Sequence, residues 1–428
     1  MLVYVCNKQG EPLMPCSPCK AKKLLKQEKA KVIRKEPFTI QLLYGSSGYK
    51  QKITLGVDTG SKHIGLSATT KDYELFSSDV ELRTGKPNDT DISQLLTKRR
   101  EARRTRRNRK TRYRQARFDN RVKSKHKGWL APSVEQRINS HLVQIEKVHQ
   151  ILPVKEIIIE TGQFDIQKIK NPEISGVEYQ QGEQLGFWNV REYVLCRDNH
   201  TCQHCKGKSK DKILNVHHLV HRSKGGTDRP DNLITLCETC HKKYHAGEIK
   251  LKQKSGMNFK DASAVNIMKN TLLDRLRKKY PVVKNTYGYI TKNNRIHKTN
   301  LPKEHYADAY CITGNLQAKK LPYHWYQMQI RRHCRQLHDM TPHKKPNKKG
   351  ERRLFRLPKE YRGFRNYDKV IVNGKKYFIC NRTAGGQFSL KGSLKTNKAL
   401  FSLCHEKIKK LKLFTKGKTY VGEYIRNV

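Results

Sequence analysis

Residues 52–70 read KITLGVDTGSKHIGLSATT, two apolar, β-rich runs separated by a Gly-Ser turn. Strand-forming residues on both sides of such a turn predict the first hairpin of a sheet, with Asp58 at the end of its first strand. A second strand is predicted at VKEIIIETG (154–162), buried because its apolar residues are consecutive and β-branched. Glu160 ends that run. Further on, KEHYADAYCITGNL (303–316) predicts a helix that carries His305 and Asp308 one turn apart on the same face. A lone acid after a strand is usually a turn residue. Three acids brought together would instead suit two Mg²⁺ ions about 4 Å apart, one activating water and one stabilising the leaving oxygen. His305 would then serve as base or orient the water.

Around these segments the chain divides by composition. Residues 1–50 predict a small entry module: a short strand, a Pro/Cys turn, a basic helix over AKKLLKQEKAKVI (21–33) and a strand at FTIQLLY (38–44). From Lys98 to Lys127 the chain reads KRREARRTRRNRKTRYRQARFDNRVKSKHK, rich in helix formers and free of Pro. A helix here has arginines on every face and almost no apolar stripe, so it needs polyanion around it. An amphipathic stretch follows at VEQRINSHLVQIEKVHQIL (134–152). Later, ASAVNIMKNTLLDRLRKKY (262–280) predicts a helix and NTYGYITKNNRIHK (285–298) a hairpin. Beyond about residue 320 the tail reads as a separate basic β module, with DKVIVNGKKYFIC (368–380) a hairpin through its Asn-Gly turn.

Nearly all the Cys/His chemistry falls between about residues 180 and 252. Cys202 and Cys205 form one Cys-x-x-Cys knuckle and Cys237 and Cys240 another, and four thiolates so spaced can close a tetrahedral, structural zinc site with no open position for water. Between and beyond them lies VHHLVHRSKGGTDRPDNLITLCETCHKKYH (216–245). Its order of adjacent histidines, Asn232 and two further histidines resembles the HNH nuclease motif. In such ββα-metal sites one imidazole activates water while others hold a divalent cation. The resemblance makes His218 the general base, His217 and His241 ligands of one Mg²⁺ with His245 as a third candidate, and Asn232 the residue that fixes the loop. Cys16 and Cys19 make another Cys-x-x-Cys with no second pair, which reads as a plain turn.

Composition bounds the partners. The 428 residues suffice for several compact domains, and their 36% hydrophobic content is low without being that of a disordered chain. Lysine and arginine number 90 against 37 acidic residues, a formal charge of +53 that asks for a large polyanion, nucleic acid first. Charge alone fits a non-catalytic RNA-binding protein equally well, but that reading leaves the histidines and carboxylates idle. The twelve cysteines, four of them paired beside histidines, read as metal capture in a reducing compartment. With no signal-like start and no long apolar run, the expectation is a cytoplasmic, intracellular protein.

GVDTGS (56–61), IIIETG (157–162) and HYADAY (305–310) resemble the three RuvC motifs in order. Together with the arginine-rich helix, the inserted HNH module and the PLMP string at 12–15, they resemble the IscB family of transposon-associated, RNA-guided nucleases. The resemblance implies a multidomain α/β protein with a split RNase H-like (RuvC) core. Its parts would be an N-terminal PLMP module (1–50), RuvC segments at 51–92, 128–179 and 256–320, an arginine-rich bridge helix (93–127), a ββα-metal HNH domain with zinc knuckles (180–255) and a basic β-rich module (321–428) that contacts guide RNA and a target-adjacent motif. Asp58, Glu160 and Asp308 would hold two Mg²⁺. Arg99, Arg100, Arg103, Arg104, Arg106, Arg107, Arg109, Arg112, Arg114, Arg117 and Arg121 would grip nucleic acid, their guanidinium forks suited to phosphate. The partners implied are an ω-type guide RNA and double-stranded DNA, in a ribonucleoprotein with one copy of the protein. A protein-guided HNH endonuclease of the homing or restriction kind is the alternative.

Overall fold

A computed structural model describes residues 2–83, 101, 103, 128–162, 167, 173–221, 226, 228–251, 260–330, 337–339, 356–358, 360–382, 387–396, 400–403 and 411–427. The arginine-rich helix expected over 93–127 lies almost wholly outside them. The chain forms two compact units, one from Met1–Gly162 and Val265–Val428, the other from Gln163–Ala264.

In the larger unit β1 (Tyr4–Cys6) precedes helix α1 (Pro18–Lys26), capped by the Ser17 side chain. Strands β2 (Ala30–Lys35) and β3 (Phe38–Leu42) then complete a three-stranded sheet of order β1-β3-β2. The basic helix is shorter than expected. Glu28 takes a left-handed φ of 55°, which stops the helix and lets Val32 and Ile33 enter β2. Cys16 and Cys19 belong to this module and, with the other described cysteines, are free thiols.

The decisive hairpin forms as read: β4 (Thr54–Thr59) pairs antiparallel with β5 (His63–Thr69), which pairs with β6 (Glu74–Glu81). Helix α2 (Pro132–His149) starts at a proline, whose missing N–H costs nothing in the first turn, and buries Val134, Ile138, Ile145 and Val148 at helical spacing. Strand β7 (Glu156–Glu160) runs parallel to β4 and is flanked on both sides, which explains its unbroken Ile157–Ile159 run.

The smaller unit contains helix α3 (Val190–Arg197), strands β8 (Leu214–His218) and β9 (Leu233–Cys237) paired antiparallel, and helix α4 (Glu238–Ala246), which begins where β9 ends. Gly247 ends α4 at φ 83°, the left-handed position glycine favours. Its core is Ile234 and Leu236 packed with Cys202, Cys237 and Cys240.

Helix α5 (Lys260–Lys279) leads back into the larger unit, and β10 (Val283–Thr286) pairs parallel with β7. The hairpin expected over 285–298 does not form. After β10 the chain turns into helix α6 (Gly288–Asn293) and one π-helical turn at Asn294–Lys298, because the stretch has β10 itself as its strand and no second one to pair. Helix α7 (His305–Ile312) follows. Strand β11 (Tyr323–Gln329) then joins β6 in parallel.

The tail, expected as a separate module, divides. Short strands β12 (Leu337–Asp339) and β13 (Arg356–Pro358) pair with each other. Strands β14 (Lys369–Val372), β15 (Lys375–Arg382), β16 (Phe388–Lys391), β17 (Phe401–Leu403) and β18 (Lys412–Thr415) form a sheet of order β17-β16-β15-β14-β18. Asn373 and Gly374, both at positive φ, make the β14–β15 turn as their chemistry requires. The last strand, β19 (Tyr420–Arg426), pairs with β11 and closes the order β10-β7-β4-β5-β6-β11-β19.

Two glycines fix where α7 sits on that sheet. A Cβ on Gly56 would meet the Ala309 carbonyl oxygen at 2.1 Å, and one on Gly65 would meet that of His305 at 1.9 Å. Gly65 is the cross-strand partner of Asp58, so bare backbone there lets the helix press against the strand end that carries the acid. Among the described residues no helix is long and apolar enough to cross a membrane.

Candidate active sites

The smaller unit holds a four-cysteine zinc-binding cluster and a histidine site back to back on one hairpin. Cys202, Cys205, Cys237 and Cys240 place their sulfurs within 4.8 Å of one another. Burial and the neighbouring thiols push Cys240 well up from its ordinary value. Four such sulfurs fit a divalent cation, which would remove that penalty and hold them as thiolates. The hairpin register pairs Leu214 with Cys237 at one end and His218 with Leu233 at the other, so the cluster anchors the strand whose far end bears the histidines.

Because β8 alternates its faces, His217 points into the unit and is buried, whereas His218 is partly open. Ligand atoms of His217, His241 and His245 lie within 4.8 Å of one another, the last two separated by one turn of α4. His241 and His245 approach at 3.3 Å between their Nε2 atoms. The Nε2 of His217 is buried without a protein partner. Burial, then the charges of His241, His245, His221 and His218, lowers its pKa to about 4, so the imidazole is neutral and its lone pair available. Burial also lowers His241. A divalent cation fits three converging imidazoles.

His218 stands apart from that trio, with its Nε2 2.8 Å from Oδ1 of Asp228. A carboxylate taking the Nε2 proton leaves Nδ1 as the basic nitrogen. Asn232 clamps the loop between: its Oδ1 accepts from the Val220 N–H at 2.8 Å and its Nδ2 donates to the Val220 carbonyl at 3.0 Å. Sequence reasoning missed Asp228, and it missed His221, whose ring lies 5.3 Å from that of His217. The spacing His217-x-x-x-His221 within the quoted motif was the available signal.

In the larger unit Asp58 ends β4, Glu160 ends β7 and Asp308 projects from the first turn of α7. The parallel register that sets Val57 beside Ile159 brings the first two strand ends level. They are converging carboxylates: burial, then the charge of Asp58, raises Asp308 to about 6, with Arg295 and His305 opposing and Glu160 adding. Each acid has a basic partner of its own. His305 Nδ1 lies 2.7 Å from Asp58 Oδ2, Lys269 Nζ donates to Glu160 Oε1 at 3.2 Å, and Arg295 Nε lies 2.8 Å from Asp308 Oδ1. That last contact is an ion pair by distance only, since the buried Nε–H finds no hydrogen-bond partner. Among the described residues the three carboxylates do not close to a 4.8 Å ligand group as the histidines do. Their mutual repulsion nonetheless fits them to divalent cations, which would take the place of Lys269 and Arg295. Neither of those two residues was legible beforehand, since nothing local distinguishes them from the other basic residues. His63 also belongs here: its ring stacks on that of His305, 4.7 Å between centroids and 8° between planes, and its Nδ1 is 3.2 Å from Asp79.

Comparison with known proteins finds two family matches, the first running past Gly162 into the smaller unit and the second lying wholly within it. Residues 3–182 match the RRXRR protein family, and residues 202–247 match the HNH endonuclease family. The chain is 51% identical over 37 residues to Anaredoxin of Nostoc sp. strain PCC 7120, covering 9% of this chain and 49% of that protein. It is 35% identical over 63 residues to the type IV methyl-directed restriction enzyme EcoKMcrA of Escherichia coli K12, covering 13% of this chain and 22% of the enzyme. The chain thus spans about half the length of the first relative and about a fifth of the second.

Proposed function

Taking as premise a chain that joins an RRXRR domain to an HNH endonuclease domain, an arrangement consistent with an IscB-like HNH nuclease, we propose that it is a metal-dependent DNA endonuclease with two cutting sites, directed by a guide RNA. The observation that carries the reading is the trio His217, His241 and His245 set beside, and not including, the His218–Asp228 pair. Hydrolysis of a phosphodiester needs a base for the attacking water and a cation for the charge that develops on phosphorus and the leaving oxygen, and these two sets divide that labour.

His218, oriented by Asp228, takes the proton of the attacking water on its free ring nitrogen. His217 and His241, with His245, would hold a Mg²⁺. When bound, that ion stabilises the scissile phosphate and its leaving group. Asn232 keeps the loop closed so that base and ligands stay in register. In the acid site Asp58, Glu160 and Asp308 would hold two Mg²⁺, and His305 would orient or deprotonate the water. Support for the RuvC reading comes from the carriers of these acids: a first strand, a parallel strand beside it and a late helix pressed on the first strand and its hairpin partner β5. In the guided reading the HNH site cuts the strand paired with an ω-type RNA and the RuvC site cuts the displaced strand. The arginine run from Arg99 to Arg121 would grip the RNA, and the β-rich tail from residue 321 would meet guide scaffold and target-adjacent duplex.

Sequencing the nucleic acid that copurifies with the protein tests the guide. A discrete structured RNA with a variable segment is expected, and random cellular RNA would contradict it. A protein-guided endonuclease is the second reading, favoured by the 35% identity to the restriction enzyme. Under it, RNA-free protein would cut a defined DNA sequence in Mg²⁺; under ours it would not.

A further inference from the structure

Two exposed tyrosines flank the glycine that touches Glu160. Tyr287 and Tyr289 are 50% and 72% exposed. Their rings lie near-parallel, 13° between planes and 6.1 Å between centroids. Between them, Gly288 abuts the acid: a Cβ there would stand 3.4 Å from Glu160 Oε1 and 3.6 Å from its Cδ. The pair is therefore fixed at the edge of the carboxylate site by the backbone that borders it. Exposing two tyrosine rings side by side wastes apolar surface unless something covers them.

We infer that Tyr287 and Tyr289 form a stacking platform that seats unpaired bases of a DNA single strand as it enters the acid site. This rests on the nuclease reading of that site. Single strands bind proteins through aromatic faces for bases and cations for phosphates. Two near-parallel exposed rings can each offer a face to a base. Cations are at hand in sequence: Lys292 and Lys298 follow the pair, whereas Lys284 and Arg295 are engaged by Glu156 and Asp308. A paired duplex hides its base faces and cannot use the platform, so the rings select for melted DNA. Stacking also tolerates any base, which suits a site whose target sequence is chosen elsewhere.

The probe is a single-stranded oligonucleotide carrying 5-iododeoxyuridine, irradiated with the full-length protein without Mg²⁺ and mapped by peptide mass spectrometry. Crosslinks are expected at Tyr287 and Tyr289, and not with the same oligonucleotide annealed to its complement. The double variant Tyr287→Leu/Tyr289→Leu should lose those crosslinks and bind the oligonucleotide about tenfold more weakly, whereas Tyr287→Phe/Tyr289→Phe should bind as the wild type does. Both side chains are largely exposed, so neither variant threatens the fold. In a cleavage assay the leucine variant should slow the cut that depends on Asp58 and leave the cut that depends on His218 unchanged. Crosslinks mapping elsewhere, equal crosslinking of duplex, or leucine variants that bind normally would overturn the platform. Tyrosine crosslinks in a protein with no Asp58-dependent cleavage would uphold the platform and contradict the acid-site reading instead.

Discussion

The histidine site draws its side chains from residues 217–245, a hairpin and the helix that follows it, whereas the acid site collects Asp58, Glu160 and Asp308 from three segments of chain. One is local, fastened by four cysteines, and its imidazoles already converge. The other exists only when β7 pairs with β4 and α7 presses onto bare glycine backbone, and each of its acids is held by a basic side chain of the protein. A site built from neighbours depends on the clip that holds one small unit together. A site built across a sheet depends on strand register and on the close approach of helix to strand beside its acids. Damage should therefore divide along the same line.

The largest effect should follow loss of the clip. Structural zinc in small modules contributes on the order of 10 kcal/mol to folding. Cys202→Ser should therefore remove bound zinc and the folded signature of residues 163–264 in hydrogen exchange, while the larger unit keeps its protection. Unchanged zinc content with normal protection would break the comparison on the local side.

Next comes a proton effect confined to the larger unit. His141 is fully buried on α2 and its Nε2 has no partner; burial above all lowers its pKa to about 4. An imidazole with a folded pKa below its unfolded value gives stability that is complete above about pH 6.5. That stability drains as pH falls toward 4, because the unfolded chain binds the proton first. The loss is on the order of 3 kcal/mol. Melting of the larger unit should fall steeply over that window in the wild type and less so in His141→Gln. Parallel pH profiles for the two would contradict it.

Smaller in energy, but sharper as a test of position, is Gly65→Ala. The new Cβ would collide with the His305 carbonyl, so α7 must shift at a cost of about 1–3 kcal/mol. Asp58-dependent cutting should drop by more than tenfold while His218-dependent cutting holds. Equal loss of both would mean that the close approach at Gly65 does not govern the acid site.

The same contrast decides what the sequence disclosed. The Cys-x-x-Cys pairs and the His217-His218…Asn232…His241 spacing are local patterns, so their reading needed no fold. The 52–70 hairpin and the Ile157–Ile159 strand were legible because burial on two sides leaves a plain apolar signature. Lys269, Arg295, His63 and Asp79 were not legible, because a long-range ion pair leaves no periodicity in either partner's neighbourhood. The assignment of β11 and β19 to the main sheet was missed for a similar reason: strand alternation says that a strand exists, not which edge accepts it. At 285–298, Tyr, Ile and Thr suggested strands, yet only its first two residues, Asn285 and Thr286 at the end of β10, found a partner in β7.

The central claim, two separate sites in one chain, is tested most directly by strand-resolved cleavage. Each strand of a target duplex is labelled and incubated in Mg²⁺ with the protein and its copurified RNA, as wild type, His218→Ala and Asp58→Ala. Wild type should cut both strands. His218→Ala should cut only one and Asp58→Ala only the other, each losing its own cut by about 10²–10⁴-fold. If either substitution abolishes both cuts, or if both remove the same one, the two-site account is wrong.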